Sequence, residues 1–306
     1  MATTVTSGIS EKTEMMSETA YGDGGVGGAE EFGFIKKISW TADANTTANY
    51  STDGASKPNT LVDGVLSFTG STEYDLTDGR ELESILGTLT DAGAGTFSIA
   101  VANALPSYSF KATSTASENV HCKGLVFSKA TISTSRNNKV SVTADWVAQN
   151  IIELGTAATP QTPGEKPFVY LDAVITFGGG TSIDLEDFNL VIDRATEARR
   201  GVESTAASAR RLISVAIPKR LSVTGSGTAI AKKELFESVL GASTLQDFRT
   251  VANIVFTLTN ATNVVAFTVS ALINVVSKDT GAEDDLMLMS FDYLGKDITV
   301  AGTYTV

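Results

Sequence analysis

The sequence predicts a mainly β protein made of two tandem, related β-sandwich or barrel domains, each with one flanking α-helix. Three features lead to this prediction: a composition rich in Thr, Ser, Val and Gly, segments of alternating apolar and polar residues, and motifs that recur in order. With 306 residues, 42% of them apolar, the chain has enough material for two hydrophobic cores. β-Branched residues favour strands, and alternation with a period of two is typical of a sheet with one buried face.

Residues 1–32 are expected to form a flexible acidic N-terminal arm. The segment contains YGDGGVGGAEE and shows almost no apolar periodicity. Gly22, Gly24 and Gly27 formally match the G-x-G-x-x-G pattern of dinucleotide-binding folds. That pattern needs a preceding strand and a following helix, whereas here polar sequence precedes it and two glutamates follow. A flexible arm is therefore favoured over a nucleotide site.

The first domain is predicted to span residues 33–153. Between 138 and 147, apolar side chains at Val140, Val142, Ala144 and Trp146 alternate with polar ones, which predicts a strand with one buried face. Ile38, Trp40 and Ala42 alternate in the same way. The predicted strands of this domain are 34–42, 64–69, 96–101, 107–113, 123–133 and 138–147.

One helix is predicted in this domain, within DGRELESILGTL. Asp78 followed by Glu81 resembles a capping box, and Gly87 is placed to help end the helix. Leu89 suggests that the helix runs slightly beyond that glycine. The apolar stripe at positions i, i+3, i+4 and i+7 consists of Leu82, Ile85, Leu86 and Leu89.

A Pro-rich linker is predicted at 154–167, followed by a second domain at 168–306. The linker holds three of the six prolines and no apolar pattern, which favours a fairly stiff connection. After it, Val169, Leu171, Ala173, Ile175 and Phe177 alternate on one face. Further strands are predicted at 186–192, 212–217, 220–225, 251–259, 264–276 and 286–294.

The two predicted domains share motifs in the same order, which indicates a domain duplication. Two copies are too few for a solenoid. The offsets drift by a few residues, as loop insertions and deletions would make them do. The matching pairs are ISWTAD at 38–43 with FNLVID at 188–193, LSFTGS at 66–71 with LSVTGS at 221–226, ELESILGT at 81–88 with LFESVLGA at 235–242, and VTADWVAQNI at 142–151 with MSFDYLGKDI at 289–298.

Residues able to support catalysis or bind a cofactor or metal are scarce, so the sequence predicts a protein that is not an enzyme and has no cofactor. His121 and Cys122 are neighbours on a predicted strand, where adjacent side chains point to opposite faces and cannot form a dyad. The acidic cluster 283–285 is better explained as a solvated turn than as a cation site. A single cysteine allows no intramolecular disulfide. No apolar stretch is long enough to span a membrane, and the N-terminus does not resemble a signal peptide.

The net charge of −12 argues against a nucleic-acid-binding protein, because such a protein needs positive charge to contact the phosphates. One loop departs from this balance: residues 193–220 carry a net +4, whereas the matching stretch of the first domain, 43–65, carries −2. Opposite charges on two copies of one loop could pair across a subunit interface, or the loop could simply be solvated. The candidate interface charges are Arg194, Arg199, Arg200, Arg210 and Arg211.

The sequence resembles the tail tube proteins of long-tailed phages and related viruses over about residues 33–298. Three stretches carry the resemblance. FVYLDAVITFGGG followed by LEDFNLVIDRATEARRG is similar to that family's strand, glycine turn and strand before a long charged loop. KRLSVTGSGTAIAKKELFESVLG is similar to its strand and helix, and LVFSKATISTSRNNKVSVTADWVAQNI to its late hairpin.

The resemblance implies a structural virion protein located in the tail and made in the host cytoplasm. In that family, six domains close a ring, and rings stack into a tube that carries DNA. A chain with two domains would then form a trimeric ring with pseudo-sixfold symmetry. The implied partners are further copies of the chain, other tail proteins (tape measure, tail terminator, baseplate or tip) and DNA that passes without specific binding. Residues 1–32 and 194–211 are candidates for contacts between rings.

Two other classes of protein remain open from the residues alone. Tandem Ig-like domains of an adhesin or a virion decoration protein would also give acidic, Ser/Thr-rich β domains, but as monomers and without a helix at the same place in each copy. A β-rich hydrolase such as a glycosidase would need two placed carboxylates. The two Trp and seven Tyr offer little material for a sugar-stacking cleft.

Overall fold

The computed structural model describes residues 12–25, 32–49, 60–62, 66–91, 93–113, 119–153, 158–159, 165–177, 181–199, 215–230, 252–278 and 288–305. Within these ranges the chain is mainly β with one short α-helix, so the predicted class is confirmed. Below, residues 12–153 are called the N-terminal half and residues 165–305 the C-terminal half.

The N-terminal half contains the single described α-helix and eleven of the described strands. The helix, α1, is short and lies between β5 and β6. The elements are β1 (Lys12–Ser17), β2 (Phe34–Asp43), β3 (Thr47–Asn49), β4 (Thr60–Val62), β5 (Ser67–Asp75), α1 (Glu83–Leu86), β6 (Gly87–Asp91), β7 (Thr96–Val101), β8 (Tyr108–Thr113), β9 (Asn119–Ser135), β10 (Ser141–Ala148) and β11 (Asn150–Glu153).

The C-terminal half supplies nine described strands, and the two longest contain 15 and 16 residues. It opens with a 3-10 turn at Tyr170–Asp172. The strands are β12 (Ala173–Phe177), β13 (Thr181–Ile183), β14 (Leu185–Asp193), β15 (Glu197–Arg199), β16 (Val215–Ile217), β17 (Ser222–Ile230), β18 (Ala252–Thr259), β19 (Val264–Lys278) and β20 (Leu288–Thr303).

Both halves pair their strands in the same antiparallel order. In the N-terminal half the order is β1-β8-β9-β10-β5-β2. In the C-terminal half it is β12-β18-β19-β20-β17-β14. The two sets join where β9 pairs with β14, and sixteen of the described strands thereby form one sheet.

The core follows the alternation seen in the sequence. Val140, Val142, Ala144 and Trp146 are fully or almost fully buried, while Thr143 between them is exposed, so this predicted face is confirmed. The buried side chains of both halves form one continuous hydrophobic cluster. Burying alternate residues of antiparallel strands removes their apolar surface from water, which is the main stabilising contribution to such a fold.

Part of the predicted flexible arm is instead a strand of the sheet. β1 pairs with β8 over six residues, and its Met15 and Met16 are buried. Glu14 also contacts Lys111, with 3.7 Å between the carboxylate and the ammonium nitrogen. β1 therefore belongs to the N-terminal half, in the position that β12 holds in the other half. Residues 1–11 and 26–31 lie outside the described ranges.

The helix of the N-terminal half is shorter than predicted. A 3-10 turn at Arg80–Leu82 leads into four α-helical residues that end at Gly87, whose φ of 114° suits glycine. Leu89 lies beyond it on β6, because that segment pairs with β7 instead of continuing the helix. The matching helix predicted at 235–242 falls outside the described residues.

The start of the second predicted domain also departs from the predicted alternation. Leu171 is 83% exposed and Val169 is partly exposed, because residues 170–172 form a 3-10 turn instead of a strand. The side chain of Asp172 accepts a hydrogen bond from the Val169 amide at 2.8 Å and holds this turn. Ile175 and Phe177 on β12 are buried as predicted.

Candidate assembly interface

His121 and Cys122 are both buried in β9 and are not built as a catalytic pair. Burial raises the pKa of the Cys122 thiol, so the thiol stays protonated at neutral pH. Burial, with Lys123 and Lys111 nearby, lowers the pKa of His121 to about 4, so the imidazole is neutral. The described ranges contain no cluster of three His, Cys, Asp or Glu side chains that could hold a metal ion. They also contain no helix long and apolar enough to cross a membrane.

The glycine-rich turn after β1 is organised around a carboxylate of the protein itself. Glu18 accepts hydrogen bonds from the amides of Gly22 at 2.8 Å and Gly24 at 3.2 Å. It also accepts one from Gly124 on β9 at 2.8 Å. These amides are therefore occupied by the protein's own carboxylate and are not available to a phosphate. Gly27 and the acidic cluster 283–285 lie outside the described residues.

The junction between the halves is formed by residues 129–135 of β9 and 187–193 of β14, and we call it the intrachain junction. Leu190 lies opposite Ile132, and Ile192 lies opposite Ala130. Leu190, Ile132 and Ile192 are fully buried. The junction is thus an antiparallel strand pair with an apolar face, and it satisfies the edges of both strands.

The loop that follows β14 extends the intrachain junction. Ala195 adopts a positive φ of 42°, and its amide donates to the Asp193 carboxylate at 2.7 Å. The Arg194 amide then donates to the carbonyl of Ser128 at 2.8 Å. The hydroxyl of Thr196 donates to the carbonyl of Phe127 at 3.0 Å. β15 leaves this loop and pairs with β16 in a two-stranded ribbon.

The candidate interface arginines are placed in different environments. Arg194 is 2% exposed, and its guanidinium donates to the carbonyl of Ala102 in the N-terminal half. It is therefore not a free surface charge, because the loop folds it against the N-terminal half. Arg199 is exposed and lies 3.5 Å from the Glu197 carboxylate. The remaining candidates, Arg200, Arg210 and Arg211, lie outside the described residues.

One end of the sheet is formed by β2, whose only neighbour among the described strands is β5. No residue of β2 is fully buried, and Trp40 is 44% exposed. The loop after β2 is similar to the loop after β14: Asn45 has a φ of 46°, and its amide donates to Asp43 at 2.8 Å. β3 and β4 then pair in a two-stranded ribbon, as β15 and β16 do.

A second available edge lies at the end of β19. Residues 264–271 of β19 pair with β18 on one side and β20 on the other. Residues 275–278 pair only with β20 among the described strands. The corresponding part of β9 uses its second side to pair with β14.

The strand registers of the two halves correspond residue by residue around two glycines. Gly70 on β5 lies opposite Trp40 on one side and Trp146 on the other. Gly225 on β17 lies opposite Leu190 and Tyr293 in the same way. All of these positions lie within the motifs that recur in the sequence. The motifs did not predict the positive φ of Asn45 and Ala195, although an Asp lies two residues before each of them.

A family model described as phage tail tube protein matches residues 18–293. The chain belongs to this family. No curated protein matches the chain closely enough to report as a relative. The phage tail tube protein is thus a structural component of the virion tail that associates with itself and with other tail proteins. Proteins of this family are structural and typically not enzymes.

Proposed function

We propose that this tail tube protein assembles into trimeric rings that stack into a tube through which viral DNA passes. The observation that carries the proposal is the repeated six-strand order, in which β9 of the first set already pairs with β14 of the second. Three chains joined in the same way would place six sheets around one axis. A closed ring of this kind would pair the last strand of each six-strand set with a neighbouring set.

The proposal includes a domain duplication, with a first domain at 33–153 and a second at 168–306. Three features support it beyond the sequence motifs. The registers around Gly70 and Gly225 match, and both outer strands, β2 and β14, carry a β-bulge near their start. The six-strand order is also the same. Under this proposal β1, which precedes residue 33, adds a strand to the first domain in the position that β12 holds in the second, and 154–167 connects the two domains.

The mechanism that we propose is passive. The net charge of −12 suits a channel wall that repels phosphate, so that DNA moves without being bound. The protein would act as a wall and not as an enzyme, with the tape measure, the tail terminator and the baseplate or tip proteins as its partners in the tail. The charged loop 194–211 and the N-terminal residues ahead of β1 are proposed to contact neighbouring rings.

Negative-stain electron microscopy of the concentrated protein tests this function. We expect hollow rings or tubes with three chains in each ring. Rings of six chains would keep the tube but contradict the pseudo-sixfold arrangement. Compact monomers at every concentration would contradict the proposal that the purified chain assembles into rings.

A further inference from the structure

The intrachain junction provides a template for the contact between chains. We propose that the free edge of β2 pairs antiparallel with the end of β19 of a second copy, in the register that β14 and β9 adopt within one chain. The proposal rests on the ring assembly described above, and it goes further by naming the two edges and their alignment. It commits to a second copy of this chain as the occupant of both edges.

Strand β2 holds the same position in the N-terminal half as β14 holds in the C-terminal half. Both are the last strand of their six-strand set, and each pairs with a strand whose glycine lies opposite its centre. Both end at an Asp whose carboxylate accepts an amide two residues later, at 2.8 Å for Asp43 and 2.7 Å for Asp193. Among the described strands of one chain, however, β14 is paired on both sides, whereas β2 is paired on one.

The end of β19 holds the same position in the C-terminal half as the part of β9 that pairs with β14 holds in the N-terminal half. In the N-terminal half, Asp145 of β10 lies opposite Lys129, and the register then shifts past Ser128. In the C-terminal half, Asp292 of β20 lies opposite Val275, and the register shifts past Asn274. A bulge at the same place fixes the alignment of the two strands without any adjustable offset.

Transferring the register then gives specific pairs between chains. Lys129 lies opposite Asp193 in the intrachain junction, so Val275 is placed opposite Asp43 of the second copy. Thr131 lies opposite Val191, so Ser277 is placed opposite Thr41. The Arg194 amide donates to the Ser128 carbonyl, which assigns the Asn274 carbonyl as the acceptor for the Ala44 amide of the second copy.

Burial provides independent support for an occupant at β2. Leu190 and Ile192 of β14 are fully buried, whereas the matching Trp40 is 44% exposed and Ala42 is exposed. A large aromatic side chain that is exposed on an outer strand of a sheet indicates a surface where another chain can pack. Among the described strands β2 and β19 do not pair with each other within one chain, and seven strand pairings separate them along the sheet. At about 4.8 Å for each pairing, the two edges lie on the order of 30 Å apart along the sheet.

Disulfide cross-linking tests the register directly. Thr41→Cys and Ser277→Cys place thiols at two exposed positions, so the chain should still fold. Directly opposed residues have Cα atoms about 4.5–5.5 Å apart, which is within disulfide reach. The only native cysteine, Cys122, is buried and should give little background. Under mild oxidation we expect covalent dimers and trimers, with the ladder ending at three chains.

The matched control combines Lys37→Cys with the same Ser277→Cys. Lys37 is exposed and four residues from Thr41 on the same strand, so its thiol should lie roughly 13 Å from its partner. We expect at least tenfold less cross-linking from this pair. Equal cross-linking of both pairs, or more from the control, would overturn the register. Rings that form without cross-linking Thr41→Cys to Ser277→Cys would also overturn it, while leaving the proposed function standing.

Other outcomes separate the edge contact from the trimeric ring. A specific cross-link whose ladder continues past three chains would support the edge pairing and contradict the trimer. A chain that gives neither rings nor cross-linked products at high concentration would overturn both.

A second variant tests the backbone contact without thiols. The amide of Arg194 points toward β9. Alternate residues of a strand direct their amides to the same side, so the amide of Ile192 also points toward β9. Ala42 is the residue of β2 that corresponds to Ile192. Ala42→Pro should remove an outward N–H and leave the hydrogen bonds to β5 in place. We expect it to abolish rings while the monomer keeps its circular dichroism spectrum. Normal rings from this variant would contradict the proposal.

Discussion

Gly70 lies against the indole ring of Trp146, so closely that a Cβ added to Gly70 would stand less than 3.0 Å from ring atoms. The two residues are directly opposed across β5 and β10. The indole Nε1–H donates to the hydroxyl of Thr72 at 3.1 Å and fixes the ring in this position. A side chain at position 70 would therefore have to displace a buried, hydrogen-bonded aromatic ring.

We expect Gly70→Ala to lower the free energy of unfolding by about 1–3 kcal/mol, the usual range for overpacking a core. The added methyl would also meet the carbonyl of Ser39, which belongs to the backbone and cannot turn aside. Gly93→Ala is the control, because open space surrounds Gly93 and only its φ of 69° opposes a side chain, costing about 1–2 kcal/mol. Urea denaturation measures both. A smaller loss at Gly70 than at Gly93 would contradict this account of the packing.

Trp40 and Leu190 should respond in opposite ways to the same substitution. Leu190 is fully buried, so Leu190→Ser should cost roughly 3–5 kcal/mol of stability. Trp40 is 44% exposed in a single chain, so Trp40→Ser should cost the monomer only about 1 kcal/mol while preventing rings. Urea denaturation and sedimentation velocity report the two effects. A Trp40→Ser variant that assembles normally would show that this side chain takes no part in the contact.

His121 should make the protein less stable in mild acid. The pKa of His121 is lowered from 6.5 to about 4, mainly by burial, so between these values the unfolded chain binds a proton that the folded chain excludes. The contribution of His121 to stability is therefore complete above pH 6.5 and falls as the pH drops toward 4. Unfolding free energies of the wild type and His121→Gln at pH 7, 5.5 and 4 measure it. The variant should lack this component, so a constant difference between the two proteins would refute the assignment.

The charged loop supplies a test of the proposed interface charges. We expect a variant with Glu at positions 199, 200, 210 and 211 to remain folded but to fail to assemble, because like charges would face each other at the contact. Arg199 is exposed and lies 3.5 Å from the Glu197 carboxylate, an exposed ion pair of the kind that contributes little to stability, so the monomer should tolerate the change. Circular dichroism and electron microscopy separate folding from assembly. Normal tubes would show that the loop is simply solvated.

Strand positions were predictable because their signal is local. The alternation at 96–101 corresponds to β7 at Thr96–Val101, and the stripe ending at Trp146 is buried as predicted. The sequence pattern did not predict β1, because its buried apolar residues, Met15 and Met16, are adjacent and give no period of two. Leu89 was misplaced on a helix because its spacing fits both a helix and the strand that follows Gly87.

The candidate interface could be predicted only in part, because strand pairing is not a local property. Trp40 and Leu190 occupy the same place in the same sequence pattern, yet one is exposed and the other fully buried. The difference arises from β9, which pairs with β14 and not with β2. The sequence likewise predicted a surface charge at Arg194, whereas in the structure its guanidinium is buried against the carbonyl of Ala102.

The mass of a single ring tests the central claim most directly. Rings released from dissociating tubes can be measured by native mass spectrometry, which counts the chains without assuming a symmetry. The account predicts three 32.0 kDa chains in each ring, since each chain would contribute two sheets. A ring of six chains would contradict it, because each chain would then occupy one position and the two halves could not be equivalent around the axis.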